Sequence, residues 1–77
     1  MKYTITAIAN LRHYLPGASE SMALEGGENE EAGAIARLAG IPEGEIMALK
    51  VGGEVVAPDY RLKEGEELVV YPVLSGG

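Results

Sequence analysis

The fold is decided by the C-terminal stretch Glu67-Leu68-Val69-Val70-Tyr71-Pro72-Val73-Leu74-Ser75-Gly76-Gly77 of this 77-residue chain. Residues 67–74 are predicted to form a strand, because successive side chains of a strand point to opposite faces and apolar residues fill both faces here. Leu68 and Val70 share one face, whereas Val69, Tyr71 and Val73 share the other. Apolar residues on both faces indicate a central strand, or a strand whose outer face meets a partner.

The two glycines that follow this strand predict an unusual tail. Glycine has no Cβ, so a Gly76-Gly77 end is thin and conformationally free. Such an end can thread a narrow channel and place the carboxylate of Gly77 in a distant active site. We therefore expect residues 74–77 to form a flexible tail whose terminal carboxylate reacts. The alternative is an ordinary frayed terminus.

Four further strands are predicted from the rest of the chain. Residues 2–9 alternate between apolar and polar types, as a half-buried strand does. Residues 19–24 are predicted to run antiparallel to this first strand. Residues 45–51 and 54–57 form a hairpin around Gly52-Gly53, since glycine tolerates the positive φ that a two-residue turn needs.

One helix of about ten residues is predicted between the second and third strands. Asn29 is its expected N-cap, and Glu30 and Glu31 are expected in its first turn, where negative charge is favourable. Gly40 is expected to end it. Its apolar stripe follows a period near 3.6 and comprises Ala32, Ile35, Ala36, Leu38 and Ala39.

The element order β-β-α-β-β-β predicts a single α+β domain over residues 1–77. A sheet with one apolar face needs a second layer to cover it, so we expect a mixed sheet of about five strands curled around the helix. The first and last strands are the longest and are expected to pair at its centre. A parallel pairing would use the long excursion between them as its crossover.

Composition excludes several function classes. The chain has no cysteine, which removes disulfides, Cys-ligated zinc and a thiol nucleophile. Its net charge of −6 disfavours nucleic-acid binding, which needs clustered Lys and Arg. The acidic charge serves solubility or steers encounter with a basic partner. No apolar run approaches the length of a membrane span and no signal peptide is apparent, so we expect a cytoplasmic protein that does not bind membranes.

The side chains do not predict an autonomous enzyme, a bound cofactor or a metal site. His13 is the only histidine, and it lies in a polar loop without cysteine nearby. Glu28, Glu30 and Glu31 lack the spacing of an EF-hand loop. No Ser-His-Asp arrangement is apparent in the sequence.

Four segments, in this order and spacing, resemble the β-grasp, ubiquitin-like sulfur-carrier family, and most closely the small subunit of molybdopterin synthase. The resemblance covers essentially the whole chain and is fairly specific because it finishes on the diglycine. The segments are residues 9–17 after the first strand, Val51-Gly52-Gly53-Glu54-Val55-Val56, residues 59–66, and Tyr71-Pro72-Val73-Leu74-Ser75-Gly76-Gly77. The chain has Pro72-Val73 where the molybdopterin branch often has two prolines.

This resemblance implies that the chain serves as a subunit and co-substrate of an enzyme. A partner enzyme would use ATP and magnesium to adenylate the carboxylate of Gly77, with Gly76 giving access. A sulfur donor such as a cysteine desulfurase system would then leave a thiocarboxylate. The large subunit of molybdopterin synthase would take this sulfur into the pterin that binds molybdenum or tungsten.

The resemblance also implies that apolar residues on the sheet face away from the helix dock the partners. The expected docking residues, with those leading into the tail, are Ile8, Val55, Val69, Tyr71, Pro72, Val73, Leu74 and Ser75. Exposed apolar groups that cluster are typical of an interface. The alternative is that one or two belong to the core, because a one-residue register shift exchanges the faces of a strand.

Several functions share this scaffold and stay open at this stage. Related carriers serve thiamin synthesis, tRNA thiolation or cysteine synthesis, and a ubiquitin-like modifier would join Gly77 to lysines of other proteins. Carrier and modifier use the same adenylate, so the domain sequence barely separates them. An interaction module with an inert tail is the third class.

Overall fold

Residues 1–73, which the computed structural model describes, form a five-stranded sheet with one α-helix. The strands are β1 (Lys2–Ala7), β2 (Ser21–Glu25), β3 (Ile46–Val51), β4 (Glu54–Val56) and β5 (Glu67–Pro72). Helix α1 spans Ala32–Leu38. Short 3₁₀ turns occupy Ala9–Tyr14, Pro16–Ala18 and Glu43–Glu45.

The sheet has the order β2-β1-β5-β3-β4, so the first and last strands lie at its centre as predicted. β1 and β5 are parallel, with Thr6 opposite Val69 and Ala7 opposite Val70. β2 pairs antiparallel with β1, and β3 pairs antiparallel with both β5 and β4. The result is the predicted α+β, mixed-sheet β-grasp architecture, with one helix inside the long crossover that a parallel pair requires.

The core lies between one face of the sheet and helix α1. Tyr3, Ile5 and Ala7 of β1 are buried, and Leu68 and Val70 of β5 are fully buried beside them. This alternation follows from the two-residue period of a strand. The remaining buried members of the core are Leu11, Leu15, Ala32, Ile35, Ala39, Ile41, Leu49, Val51 and Leu62.

The start of the helix differs from the prediction. Asn29 is not the N-cap; it adopts a φ of +48°, and its side-chain Nδ2 donates to the carbonyl of Leu62 at 3.0 Å. The first helical amides, of Ala32 and Gly33, donate instead to the backbone carbonyls of Tyr60 and Pro58, both at 2.8 Å. Since a distant segment satisfies these donors, the helix needs no local side-chain cap and begins two residues later than expected.

Glu30 and Glu31 lie outside the helix rather than in its first turn. The Glu30 carboxylate accepts a hydrogen bond from the N–H of Gly27 at 3.1 Å. Glu31 is the N-cap residue but makes no side-chain cap, and its carboxylate lies 3.7 Å from the guanidinium of Arg61. Both acids therefore stabilise the loop before the helix rather than the helix terminus.

The predicted glycine turns are confirmed. Their glycines adopt positive φ values, which other residues avoid. Gly52 and Gly53 have φ values of +60° and +82°, as the two-residue hairpin between β3 and β4 requires. Gly40, with a φ of +88°, follows the end of α1, and its N–H donates to the carbonyl of Arg37 at 2.9 Å. This is the predicted helix stop.

The strands are shorter than the sequence pattern indicates. β1 ends at Ala7 rather than at Ala9, because Ala9 takes a φ of +54° and starts a 3₁₀ turn. β2 begins at Ser21, since Pro16–Ala18 forms a second such turn. β5 ends at Pro72 as described, and the predicted last strand residue, Leu74, lies outside the described residues.

Candidate docking face and the approach to the C-terminus

The sheet face turned away from α1, here called the outer face, carries a row of side chains that crosses four strands. The register places Thr6 of β1 beside Val69 of β5, Val69 beside Lys50 of β3, and Lys50 beside Val55 of β4. Tyr71 of β5 lies beside Ala48 of β3 in the next row. The period of two that buries alternate residues therefore gathers these residues on one surface.

Five of the predicted docking residues lie along this face. Val69 and Tyr71 are half-buried, whereas Val55 is 68% exposed and Val73 is 50% exposed. Ile8 continues the outer alternation of β1 and is half-buried; its N–H donates to the carbonyl of Val70 at 3.0 Å. The apolar surface therefore runs along β5 and widens across β3 to the sheet edge at Val55.

Pro72 is placed differently from the prediction. Its side chain is buried on the face shared by Leu68 and Val70, which turns toward the core. The alternation along β5 dictates this, because Pro72 is an even number of residues from both. The isolated chain thus uses Pro72 as a packing residue rather than as a docking residue. Leu74, Ser75, Gly76 and Gly77, also predicted for the site, lie outside the described residues.

The last described backbone contact fixes the point from which residues 74–77 continue. The N–H of Val73 donates to the carbonyl of Glu45 at 3.1 Å, just before β3 begins. The outer-face residues Val69, Tyr71 and Val73 lead directly to this point along one strand. The outer-face side chains of β5 therefore lie only a few residues before the diglycine in the sequence.

The sequence profile of the Mut7-C ubiquitin family matches residues 1–76. The chain belongs to this family. No curated protein matches the sequence.

Solved structures similar to this Mut7-C ubiquitin family member share its fold at low sequence identity. SAMP1 from Haloferax volcanii is 18% identical over all of both chains, with a TM-score of 0.74. A putative molybdopterin converting factor, subunit 1, from Pyrococcus furiosus is 17% identical, covers 96% of this chain and 99% of its own, and has a TM-score of 0.76. The ubiquitin of Caldiarchaeum subterraneum is 19% identical over 100% of this chain and 98% of its own, with a TM-score of 0.64.

Lys50, an outer-face residue of this family member, was not among the docking residues predicted from the sequence. Lys50 is half-buried at the centre of the row, and its Nζ lies 4.9 Å from the centroid of the Tyr71 ring. This distance is within the range of a cation–π interaction. The signal was present in the alternation of residues 45–51, where a lysine stands between the core positions Leu49 and Val51 and must therefore face outward.

A separate apolar groove lies where α1 approaches β3 and β4. It has a volume of about 310 Å³, and its lining includes Gly33, Arg37, Ile41, Met47 and Val56. β4 ends opposite Leu49, so within residues 1–73 no strand lies beside the start of β3 on this edge. Val55 contributes to this groove as well as to the outer face.

Within residues 1–73, no group of three or more His, Asp and Glu side chains could hold a metal ion. Burial, followed by the nearby Glu66 carboxylate, raises the pKa of Tyr60, whose hydroxyl lies 3.4 Å from each Glu66 carboxylate oxygen. No helix in this part of the chain has the length and apolar character to cross a bilayer.

Proposed function

We propose that this chain is a sulfur carrier whose Gly77 carboxylate is adenylated and then converted to a thiocarboxylate. The observation that carries the proposal is the set of apolar side chains Val69, Tyr71 and Val73, which share the outer face of β5 and shortly precede the diglycine in the sequence. A carrier needs a surface that holds an activating enzyme while its terminus reaches the active site. Here the outer face would bind the enzyme and the diglycine would enter its active site.

The proposed chemistry proceeds through a partner that binds ATP and magnesium. A carboxylate is a poor electrophile because its negative charge is delocalised. Its oxygen attacks the α-phosphorus of ATP and pyrophosphate leaves, which gives an acyl-adenylate. The persulfide of a donor such as a cysteine desulfurase system then attacks the acyl carbon through its terminal sulfur and displaces AMP, which gives an acyl disulfide. A second thiol attacks the donor sulfur of this disulfide, so that the S–S bond breaks and the products are the thiocarboxylate and a disulfide between the donor and that thiol. Activation divides one difficult substitution into two easier ones.

The pathway proposed for the sulfur is molybdopterin synthesis. The chain would act as the small subunit of molybdopterin synthase and would deliver sulfur to a pterin held by the large subunit. The fold shared with the Pyrococcus furiosus putative molybdopterin converting factor supports this assignment. In this role the carrier is a co-substrate, and the catalytic groups belong to its cytoplasmic partners.

A ubiquitin-like modifier is the second candidate. It is favoured by the fold shared with Caldiarchaeum subterraneum ubiquitin. The modifier would use the same adenylate, but an amine of another protein would displace AMP in place of sulfur. The carrier and the modifier therefore differ in the nucleophile and have the same requirement for the outer face.

The intact mass of the protein isolated from its native host under mild conditions tests the proposal. An increase of about 16 Da at Gly77, lost on alkaline hydrolysis, identifies the exchange of oxygen for sulfur, a modification that the sequence does not encode. Unmodified protein together with lysine-linked adducts would establish the modifier instead. Unmodified protein without adducts, even after incubation with ATP and the cognate adenylating enzyme, would refute both candidates.

Incubation of the thiocarboxylated protein with the large subunit and the pterin precursor tests the pathway. Formation of a dithiolene supports the molybdopterin assignment. Transfer of sulfur only to a thiazole-forming enzyme or to tRNA would assign the carrier to another branch.

A further inference from the structure

We infer that the adenylating enzyme presents a carboxylate to Lys50 at the centre of the interface it forms with the outer face. This inference rests on the proposed function, because it concerns the partner that the outer face binds. It adds the chemical character of that partner's surface: an apolar depression that contains an Asp or Glu side chain.

Lys50 is surrounded by apolar groups on the outer face. Its register partners are Val69 on β5 and Val55 on β4, and its ammonium lies 4.9 Å from the centroid of the Tyr71 ring. The ammonium itself therefore lies over the Tyr71 ring, in the geometry of a cation–π contact on a half-buried side chain. A partner that covers the three apolar side chains must also cover this charge.

The ammonium of Lys50 has no ion-pair partner among residues 1–73, although acidic residues outnumber basic ones twelve to six in the whole chain. Two arginines of this part of the chain, Arg12 and Arg61, lie within 3.7 Å of a glutamate carboxylate. On the outer face, the nearest acid along β5 is Glu67, whose carboxylate already accepts a hydrogen bond from Thr6. Lys50 therefore remains available to a partner.

The loss of water around the Lys50 ammonium on binding makes a carboxylate on the partner necessary. Removal of an ammonium from water without a counter-charge costs far more free energy than apolar contacts of the same area contribute to binding. A carboxylate on the partner offsets this loss, and a well-placed hydrogen-bonded pair adds specificity. A basic or wholly apolar partner surface would be rejected.

The positive charge of Lys50 at the outer face is opposite in sign to the net charge of the whole protein. A net charge of −6 favours long-range encounter with basic proteins. At contact distance, however, the central charge of the outer face is positive. The partner surface is therefore expected to have basic groups at its rim, which steer the encounter, and an acidic group at its centre, which fits Lys50.

Kinetics of ATP–pyrophosphate exchange by the cognate adenylating enzyme test this inference, with the carrier as the varied substrate. Lys50→Met keeps an unbranched side chain at this position but leaves the partner carboxylate unpaired, so KM for the carrier is expected to rise by about tenfold or more. Lys50→Glu is expected to raise KM further through like-charge repulsion. The kcat is expected to stay within about twofold, because Lys50 does not touch the reacting carboxylate.

Lys63→Met provides the matched control, because Lys63 is an exposed lysine in the turn before β5. It should leave both constants unchanged, and urea denaturation verifies that each variant is folded. If wild-type protein is adenylated but Lys50→Met behaves like Lys63→Met, or if Lys50→Glu lowers KM, the inference is wrong while the proposed function survives. If the wild-type protein is not adenylated at all, the proposed function fails.

Discussion

The phenol oxygen of Tyr3 accepts a hydrogen bond of 2.9 Å from the backbone N–H of Glu30. The same hydroxyl donates to the carbonyl of Gly27 at 2.6 Å. Tyr3 is only 1% exposed, so its ring fills the core while its polar end fixes the loop that precedes α1. One side chain of the first strand thus positions the crossover that the parallel pair of β1 and β5 requires.

Tyr3→Phe is expected to lower the free energy of unfolding by about 1–3 kcal/mol, since it leaves a carbonyl and an N–H without their partner. Urea denaturation measures the loss. Tyr71→Phe is the matched control, because Tyr71 lies half-buried on the outer face and its hydroxyl is outside the core. Equal stabilities of the two variants would contradict the role assigned to the Tyr3 hydroxyl.

Gly26→Ala is expected to destabilise the fold by about 1–3 kcal/mol through overpacking. A Cβ at this position would lie 3.1 Å from Cε2 of Tyr3 and 3.3 Å from Cδ1 of Ile35. Neither neighbour can withdraw easily, because Tyr3 is held by its hydrogen bonds and Ile35 is fully buried. Gly44→Ala is the control, since a Cβ there meets nothing within 4 Å, and thermal unfolding should separate the two variants.

Gly77→Ala is expected to leave the unfolding free energy unchanged and to abolish most of the adenylation by the cognate enzyme. The added methyl group restricts the backbone and widens a terminus that must enter a narrow channel. Pyrophosphate exchange measures the activity, and Gly44→Ala, which adds the same methyl group elsewhere, should retain it. Wild-type rates for Gly77→Ala would show that the terminus does not enter such a channel.

Val55→Gln is expected to raise KM for the carrier in adenylation by about tenfold, in the range of an interface residue that costs more than 1 kcal/mol when truncated. Its effect on folding should stay within about 0.5 kcal/mol, because the side chain is 68% exposed. Leu38→Gln, at a residue 58% exposed on the helix side, is the matched control. A similar KM for both variants would remove Val55 from the interface.

The stability that Tyr60 contributes is expected to fall at alkaline pH. Burial, and after it the Glu66 carboxylate, raises the pKa of this phenol in the folded protein. Folding therefore favours the neutral phenol. The contribution of this preference to folding stability is complete below the unfolded pKa of about 10 and is lost as pH rises through the pKa of the folded protein. The stability advantage over Tyr60→Phe should shrink above pH 10 in urea titrations; parallel curves would contradict it.

The fold was largely predictable because its signals are local in the sequence. Alternation in residues 2–7 and 67–72 predicts which side chains are buried, and Gly52-Gly53 predicts the hairpin, since both depend only on backbone geometry. The helix start was not predictable in this way. Its amides are satisfied by carbonyls of residues 58 and 60, and no local pattern reports a contact with so distant a segment.

The candidate site was likewise predictable only in part from the sequence. The sequence by itself determined that Val69, Tyr71 and Val73 share one strand face leading to a diglycine, because a strand period of two requires it. Only the tertiary structure decided that Val55 and Lys50 stand in one row with Val69 and that the Lys50 ammonium lies over the Tyr71 ring. Cross-strand register sets these neighbours, and it depends on packing among strands that are far apart in the chain.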